Sequence, residues 1–313
     1  MNGVLVVDKP PGLTSHDVVA QVRHILHVRR VGHTGTLDPF ATGVLVVLLG
    51  RATRLAQFLS GLEKEYEAVI RLGYATDTGD VTGKRIQEAP DSLKASAPWS
   101  KEQIEAALES LRGEIDQVPP MYSAKKQGGR KLYELARAGQ EVERQPVRVY
   151  IYKFEAIKSS GELLKDNLDG TFDFEVRVAC SAGTYIRTLA EDFGKRLNAG
   201  AHLVELRRTR VGDLLVDQAQ TVGQVKEAFA EESLGRILYP PDDVLARLPF
   251  LNLNHDEVNR VRNGLDIQVE GQQWADGERV RMRDPNQDLL AVGVFNAARK
   301  SLHPAVVIIS EEP

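Results

Sequence analysis

One cysteine, Cys180, occurs in 313 residues. An internal disulfide is therefore excluded, and so is a zinc site built from paired Cys and His ligands. Long apolar runs are missing as well. Val44–Leu49 gives six consecutive apolar residues, far short of the ~20 that cross a bilayer. The opening MNGVLVVDKPPG has no basic segment, and its apolar run of four is too short for a secretory signal. No charge of either sign dominates, since 40 Lys and Arg against 44 Asp and Glu leave a net charge of −4. Taken alone, that sum argues against a nucleic-acid partner. Together these absences lead us to expect a cytoplasmic protein without metal or membrane contact.

What is present modifies the charge argument. A hydrophobic share of 42% with 27% charged residues fits a globular chain, and the length suffices for one large domain and a small one. Local charge decides groove contacts more than the total does. Residues 21–33 carry Arg23, Arg29 and Arg30 with three histidines and no acid. Residues 121–158 hold nine Lys and Arg against four Asp and Glu, and Arg207, Arg208 and Arg210 form a third cluster. Acid gathers elsewhere, with seven acids against three bases in 87–116. Any one basic cluster is an ordinary solvated surface; three together are consistent with an RNA-facing side.

Periodicity supplies the elements. Residues 3–9 read as a strand. Thr14 caps a following helix, with Asp17 three residues on and Val18, Val19, Val22, Ile25 and Leu26 on its buried face. Ser15-His16-Asp17 spells a hydrolase triad, but neighbours on a helix point in different directions and cannot converge. Gly32 and Gly35 lack the Lys-Ser/Thr ending of a phosphate loop. The run 44–49 fits a strand buried on both faces, which puts Asp38 at the mouth of the core. Pro39 then holds Asp38 near extended angles, although an isolated Asp-Pro most often only starts a turn.

Further along, residues 51–59 read as helical and 64–73 alternate as a strand. Tyr66, Ala68, Ile70 and Leu72 share one face of that strand, where a tyrosine is ordinarily core. Residues 77–83 form a turn without the spacing of a calcium loop, and 84–100 a surface connection. A helix is expected over about 100–111, strands over 147–158 and 172–180, then a helix capped by Thr184 with a stripe of Ile186, Leu189, Ala190, Phe193 and Leu197. Arg187 would fall in that helix's first turn, where the dipole disfavours a cation. Either Glu191 pairs with it one turn on, or this broken local rule marks a function. Cys180 has no basic neighbour in sequence and reads as buried. After Pro240-Pro241, Asn263-Gly264, Asp276-Gly277 and strands near 280–283 and 289–294 suggest a small β-barrel.

GHTGTLDPFATGVL, residues 32–45, resembles the active-site motif of the TruB-type tRNA pseudouridine-55 synthases. KEYEAVIRLG, the PPMYSAKKQGGRKLYELAR segment, CSAGTYIRT and AHLVELRRTRVG resemble further motifs of that family, in the family's order, and ATDTGDVTGK matches a segment near its cleft. The resemblance covers residues 2–83 and 117–213; Val46 stands where the family often has proline, and Ala182 in a variable position. It implies an α+β fold, with a mixed, largely antiparallel central sheet and flanking helices over 1–243. It also implies an RNA-gripping arm at about 119–146 and a small β-barrel-like PUA domain over 244–313. The implied activity is isomerisation of uridine 55 in the tRNA T-loop, by a monomer that needs no cofactor. A non-catalytic tRNA-folding chaperone or RNA-binding scaffold of the same fold is the alternative.

The same resemblance distributes roles. Asp38 would be the catalytic residue, Arg187 its partner, and Tyr66 the ring that stacks on the target base. His33 would contact T-loop bases, Tyr185 would lie near the active site and bind substrate, and Leu206 would line the uracil pocket. Lys9 would lie beside the active site, Asp80 would only support it, and Lys125, Lys126, Arg130 and Lys131 would grip RNA.

Overall fold

The strands Gly3–Lys9 and Thr42–Leu49 pair antiparallel over their full lengths, from Gly3 opposite Leu49 to Lys9 opposite Gly43. Every residue of the second strand after Thr42 is buried, as an unbroken apolar run requires. One face packs Leu45, Val47 and Leu49 under Val18 and Val22 of the Ser15–Leu26 helix. The other packs Val44, Val46 and Leu48 against Leu55 and Leu59. Thr14 and Asp17 cap that helix reciprocally, so Asp17 is engaged in a cap and forms no triad. In this computed structural model residues 1–88, 99–123, 125–137, 139–140, 142–157 and 163–308 are described. Most of the connection expected at 84–100, and residue 158 of the expected strand, lie outside them.

The pair is part of an 11-stranded sheet. Its main path runs Leu238–Tyr239, Gly3–Lys9, Thr42–Leu49, Ala201–Val211, Lys64–Leu72, Phe172–Cys180, Val147–Ala156, Gly113–Gln117. Neighbours along this path are antiparallel except at one seam. There Ala201–Val211 meets Thr42–Leu49 in parallel, with Arg207 opposite Thr42 and Arg208 opposite Gly43. Gly43 has φ +97, and a Cβ on it would stand 2.1 Å from the Arg208 carbonyl oxygen. Only glycine lets the two backbones approach this closely.

Lys64–Leu72 alternates strictly, with Lys64, Tyr66, Ala68, Ile70 and Leu72 buried and the residues between them part-exposed. The Lys101–Glu109 and Ile186–Arg196 helices contribute Ile104, Leu108, Leu189 and Phe193 to the core on that face. The intervening Glu67 and Arg71 pair with Arg177 and Asp173, and Glu63, just before the strand, pairs with Arg210. The Ile186–Arg196 helix begins later than the sequence suggests. Tyr185 is its N-cap residue, without a side-chain cap bond, while the Thr184 hydroxyl donates to the Ser181 carbonyl and closes the preceding turn.

A second sheet of five strands is ordered Phe250–Asn252, Arg279–Arg283, Leu289–Asn296, Ser301–Val307, Ile267–Gln268, and the His255–Arg262 helix packs Val258 and Val261 into its core. Asn263-Gly264 ends that helix instead of turning a hairpin, with Gly264 at φ +73. Leu289, Val292, Val306 and Ile308 share a core with Val4, Val46 and Leu48 of the first sheet. Asp242 accepts from both Arg281 and Arg283 of the second. Among the described residues no helix is long and apolar enough to cross a membrane.

Candidate active site

The loop entering the Thr42–Leu49 strand is fixed from several sides. The Ser15 hydroxyl accepts from the Leu37 amide at 2.9 Å, and the Ala41 amide donates to the Asp38 carbonyl. Lys9 donates to the carbonyls of Pro10 and Pro39 at 2.8 and 3.1 Å. Lys9 lies beside the site as expected, but at 0% exposure it has no surface to offer RNA. It braces the Asp38 loop from beneath, and burial brings its ammonium down to about 8.

Arg187 reaches Asp38 from 149 residues away. Its Nε lies 2.9 Å from Asp38 Oδ2, and Nη2 lies 3.4 Å from Oδ1. Nη1 donates to the Thr78 carbonyl at 2.8 Å and stands 3.7 Å from Asp80 Oδ2; Nη2 also donates to the Tyr122 carbonyl at 2.5 Å. The guanidinium thus turns to Asp38 and Asp80, and the alternative of a pair with Glu191 is not taken. Burial pushes the Asp38 carboxyl above the usual range, Arg187 pulls it back, and Asp80 adds to the rise. Asp80 is buried and held by the hydroxyls of Thr78 and Thr82, inside the turn expected at 77–83.

Asp38, Tyr66, Tyr185, Arg187 and Leu206 line one cavity of about 240 Å³. Burial keeps the Tyr66 phenol protonated by raising it above its ordinary value. Lys64, Arg208 and Ser123 line the same cavity and were not among the expected site residues. A signal for two of them exists: at a period of two, Lys64 shares a face with Tyr66, and Arg208 with Leu206. A cation on a buried face is the anomaly to look for.

Other expected residues lie apart. His33 is half-buried outside the cavity wall, edge-on to His16 at 5.2 Å. Burial lowers it to about 4, so it is neutral at pH 7. Lys126–Gln127 and Arg130–Lys131 pair as a short hairpin, with Lys125 and Arg130 exposed. The third basic cluster is not a free cationic patch, because Arg207 pairs with Asp8, Arg210 with Glu63, and Arg208 is buried. Cys180 is buried, which pushes its thiol up to about 11 and leaves it a poor nucleophile. No group of three or more His, Cys, Asp or Glu among the described residues is placed to hold a metal ion. The arrangement is a carboxylate matched to a guanidinium at the edge of a cavity floored by a neutral phenol. Such a site suits nucleophilic or base chemistry on a small planar group.

Two family models match the chain. The TruB family pseudouridylate synthase N-terminal domain covers residues 23–186, and the tRNA pseudouridylate synthase B C-terminal domain covers 187–246. The tRNA pseudouridine synthase B of Bacillus pumilus is 39% identical over 314 residues, spanning 100% of this chain and 99% of that one. Its counterpart from Geobacillus kaustophilus is 45% identical over 264 residues, spanning 84% and 90%. Among solved structures, an H/ACA RNP bound to a substrate RNA containing 2′-deoxyuridine is similar with a TM-score of 0.71 and 25% identity, over 98% of this chain and 85% of that one. An archaeal box H/ACA sRNP Nop10-Cbf5 complex gives 0.70 and 26%, over 98% and 86%.

Proposed function

This chain belongs to the TruB family of pseudouridylate synthases, and from that premise we propose that its cavity converts one uridine of the tRNA T-loop, at position 55, into pseudouridine. The protein is an isomerase acting on uridine in tRNA. In this reaction uracil leaves C1′ through N1 and returns through C5, so nothing is added and no cofactor is consumed. Asp38 paired with Arg187 on the wall of a cavity is the observation that carries the site assignment.

The roles follow from what the reaction demands. A uridine inside a stacked loop hides its glycosidic carbon and its C5 edge, and extruding it costs a few kcal/mol. His33, neutral and beside the cavity loop, fills the space the base vacates. Tyr66 stacks on the extruded ring, between the walls made by Tyr185 and Leu206. Asp38 must be charged to act on the nucleoside, and Arg187 opposes the desolvation that would protonate it. The hairpin with Lys125, Lys126, Arg130 and Lys131 takes backbone phosphates. Residues 244–313 supply a second, PUA-like RNA contact, and the enzyme works as a monomer.

The test is tritium release from a T-arm RNA carrying [5-³H]uridine. The native chain is expected to release one tritium per RNA. Asp38→Asn should release none while binding the RNA within about threefold of the native affinity, a shift below 1 kcal/mol. Release by the variant would remove Asp38 from the chemistry. Binding without release by the native chain would favour the scaffold reading instead.

A further inference from the structure

Among the described residues, two cations in the cavity wall pair with no carboxylate. Lys64 and Arg208 are 6% and 1% exposed, and both line the cavity that holds Asp38. The Lys64 ammonium donates to the carbonyls of Ser60 and Leu62 at 2.7 and 2.5 Å, which uses two of its three protons. Arg208 donates through Nε to the Val44 carbonyl at 2.7 Å and through Nη2 to the Gly35 carbonyl at 2.9 Å, and it also hydrogen-bonds the Tyr66 phenol. The Tyr66 phenol and the Cys180 thiol interact with these cations, and burial keeps both neutral. Arg187, by contrast, faces two carboxylates. A buried cation without a counter-ion is costly, and such groups cluster where their charge is used.

The isomerisation creates a matching need. The C1′–N1 bond must break with its electron pair left on uracil, and where Asp38 acts on the ribose that charge is spread over N1, O2 and O4. C5 then bonds to C1′, the C5 proton leaves, and N1 takes up a proton, so composition is unchanged. For the interval between, the base is anionic. We propose that Lys64 and Arg208 hold this negative charge on the base while it turns from N1 to C5. Their hydrogen bonds to the carbonyls of Gly35, Val44, Ser60 and Leu62 fix both cations before the reaction begins, so little reorganisation is needed when charge develops. Arg208 also ties the start of the Asp38 loop, at Gly35, to the strand that carries Leu206.

The inference rests on the proposed function, and the test separates the two. Single-turnover rates are measured on T-arm RNA with uridine or 5-fluorouridine at the target, using the native chain, Lys64→Met and Lys64→Arg. Products are read as rearranged nucleosides after nuclease digestion. Lys64→Met should slow the uridine reaction about 100-fold, the loss typical of one removed charge-stabilising donor, with RNA affinity within about threefold of native, below 1 kcal/mol. Fluorine withdraws electrons and already stabilises the anion, so the loss on 5-fluorouridine should be at least about tenfold smaller. Equal losses on both substrates, or a uridine rate within threefold of native, would overturn the proposal.

A second readout covers the case in which Lys64→Met fails to fold. The native rate should fall as pH rises past about 8, where burial has placed the Lys64 ammonium. Lys64→Arg should carry that alkaline limb upward by at least about one unit, since arginine stays charged. Burial brings Lys9 to about 8 as well, so the same comparison is made in a Lys9→Arg background, and a limb that does not move there refutes the role. A native chain that makes no pseudouridine at all would instead strike the parent reading.

Discussion

Arg187 is the most heavily committed side chain of the site. It satisfies two carboxylates and two carbonyls at 6% exposure. Arg187→Ala should lower stability by about 3 kcal/mol in urea unfolding, the low end for a broken buried pair because 34% of the Asp38 side chain faces solvent. Turnover should vanish with it. Adding Asp80→Asn should recover about 1 kcal/mol, since one stranded charge is removed; losses that merely add would show that Asp80 takes no part. Arg187 stood out in the sequence because it sits badly in the first turn of a helix, but only the structure decides between Glu191 and the distant Asp38. Asp38 was not legible by chemistry alone, since Asp-Pro is a common turn; the family motif around it supplied the role. The depth at which Lys9 is buried was not legible for a related reason. Its burial depends on the Pro39 carbonyl, thirty residues on, and no local pattern announces that contact.

Among the elements, the short parallel seam between Thr42–Leu49 and Ala201–Val211 sets the geometry of the cavity. It brings Arg208 beside Gly43, next to the loop that carries Asp38. Gly43→Ala should therefore cost more than about 3 kcal/mol, because the added carbon meets backbone and the φ is strained as well. Gly12→Ala is the control. Its φ of +85 is strained too, but nothing lies within 4 Å of the new carbon, so about 1 kcal/mol is expected. Thermal unfolding of the two variants gives the comparison, and equal shifts would remove the seam as the cause. Element positions were largely readable, as Lys64–Leu72 and Phe172–Cys180 illustrate through their alternation. Alternation tells which face a residue joins but not which strand lies alongside, so the insertion of 201–211 between two earlier strands was not readable. The cap at Thr184 failed because the helix starts at Ile186 with Tyr185 in the cap position, and the Thr184 hydroxyl closes the preceding turn instead.

For the whole molecule, the question is whether the two sheets unfold together. They share a core in which Val292, Val306 and Ile308 meet Val4, Val46 and Leu48. The chain carries two tryptophans, and they report on different regions. Trp99 donates to the Leu197 carbonyl beside the first sheet, and Trp274 packs on Phe295 of the second. Trp99→Phe and Trp274→Phe chains should give fluorescence midpoints in urea that agree within about 0.3 M, as one cooperative transition requires. Separated midpoints would show that the shared core does not couple the sheets. The net charge of −4 was the least informative number in the sequence. Pairs such as Arg207 with Asp8 and Arg210 with Glu63 cancel within the sheet, while the uncancelled cations at Lys64 and Arg208 are hidden from any sum.

The seam also has a consequence for how copies of this protein come into being on the ribosome. Synthesis delivers Asp38 early, yet its guanidinium partner arrives 149 residues afterwards, and the strand that anchors the loop later still. A nascent chain with half of its 313 residues made holds the reactive carboxylate without Arg187 or the strand that would position it. Because domains begin to fold as they emerge, the cavity can close around Asp38 only after translation has passed the Ala201–Val211 strand.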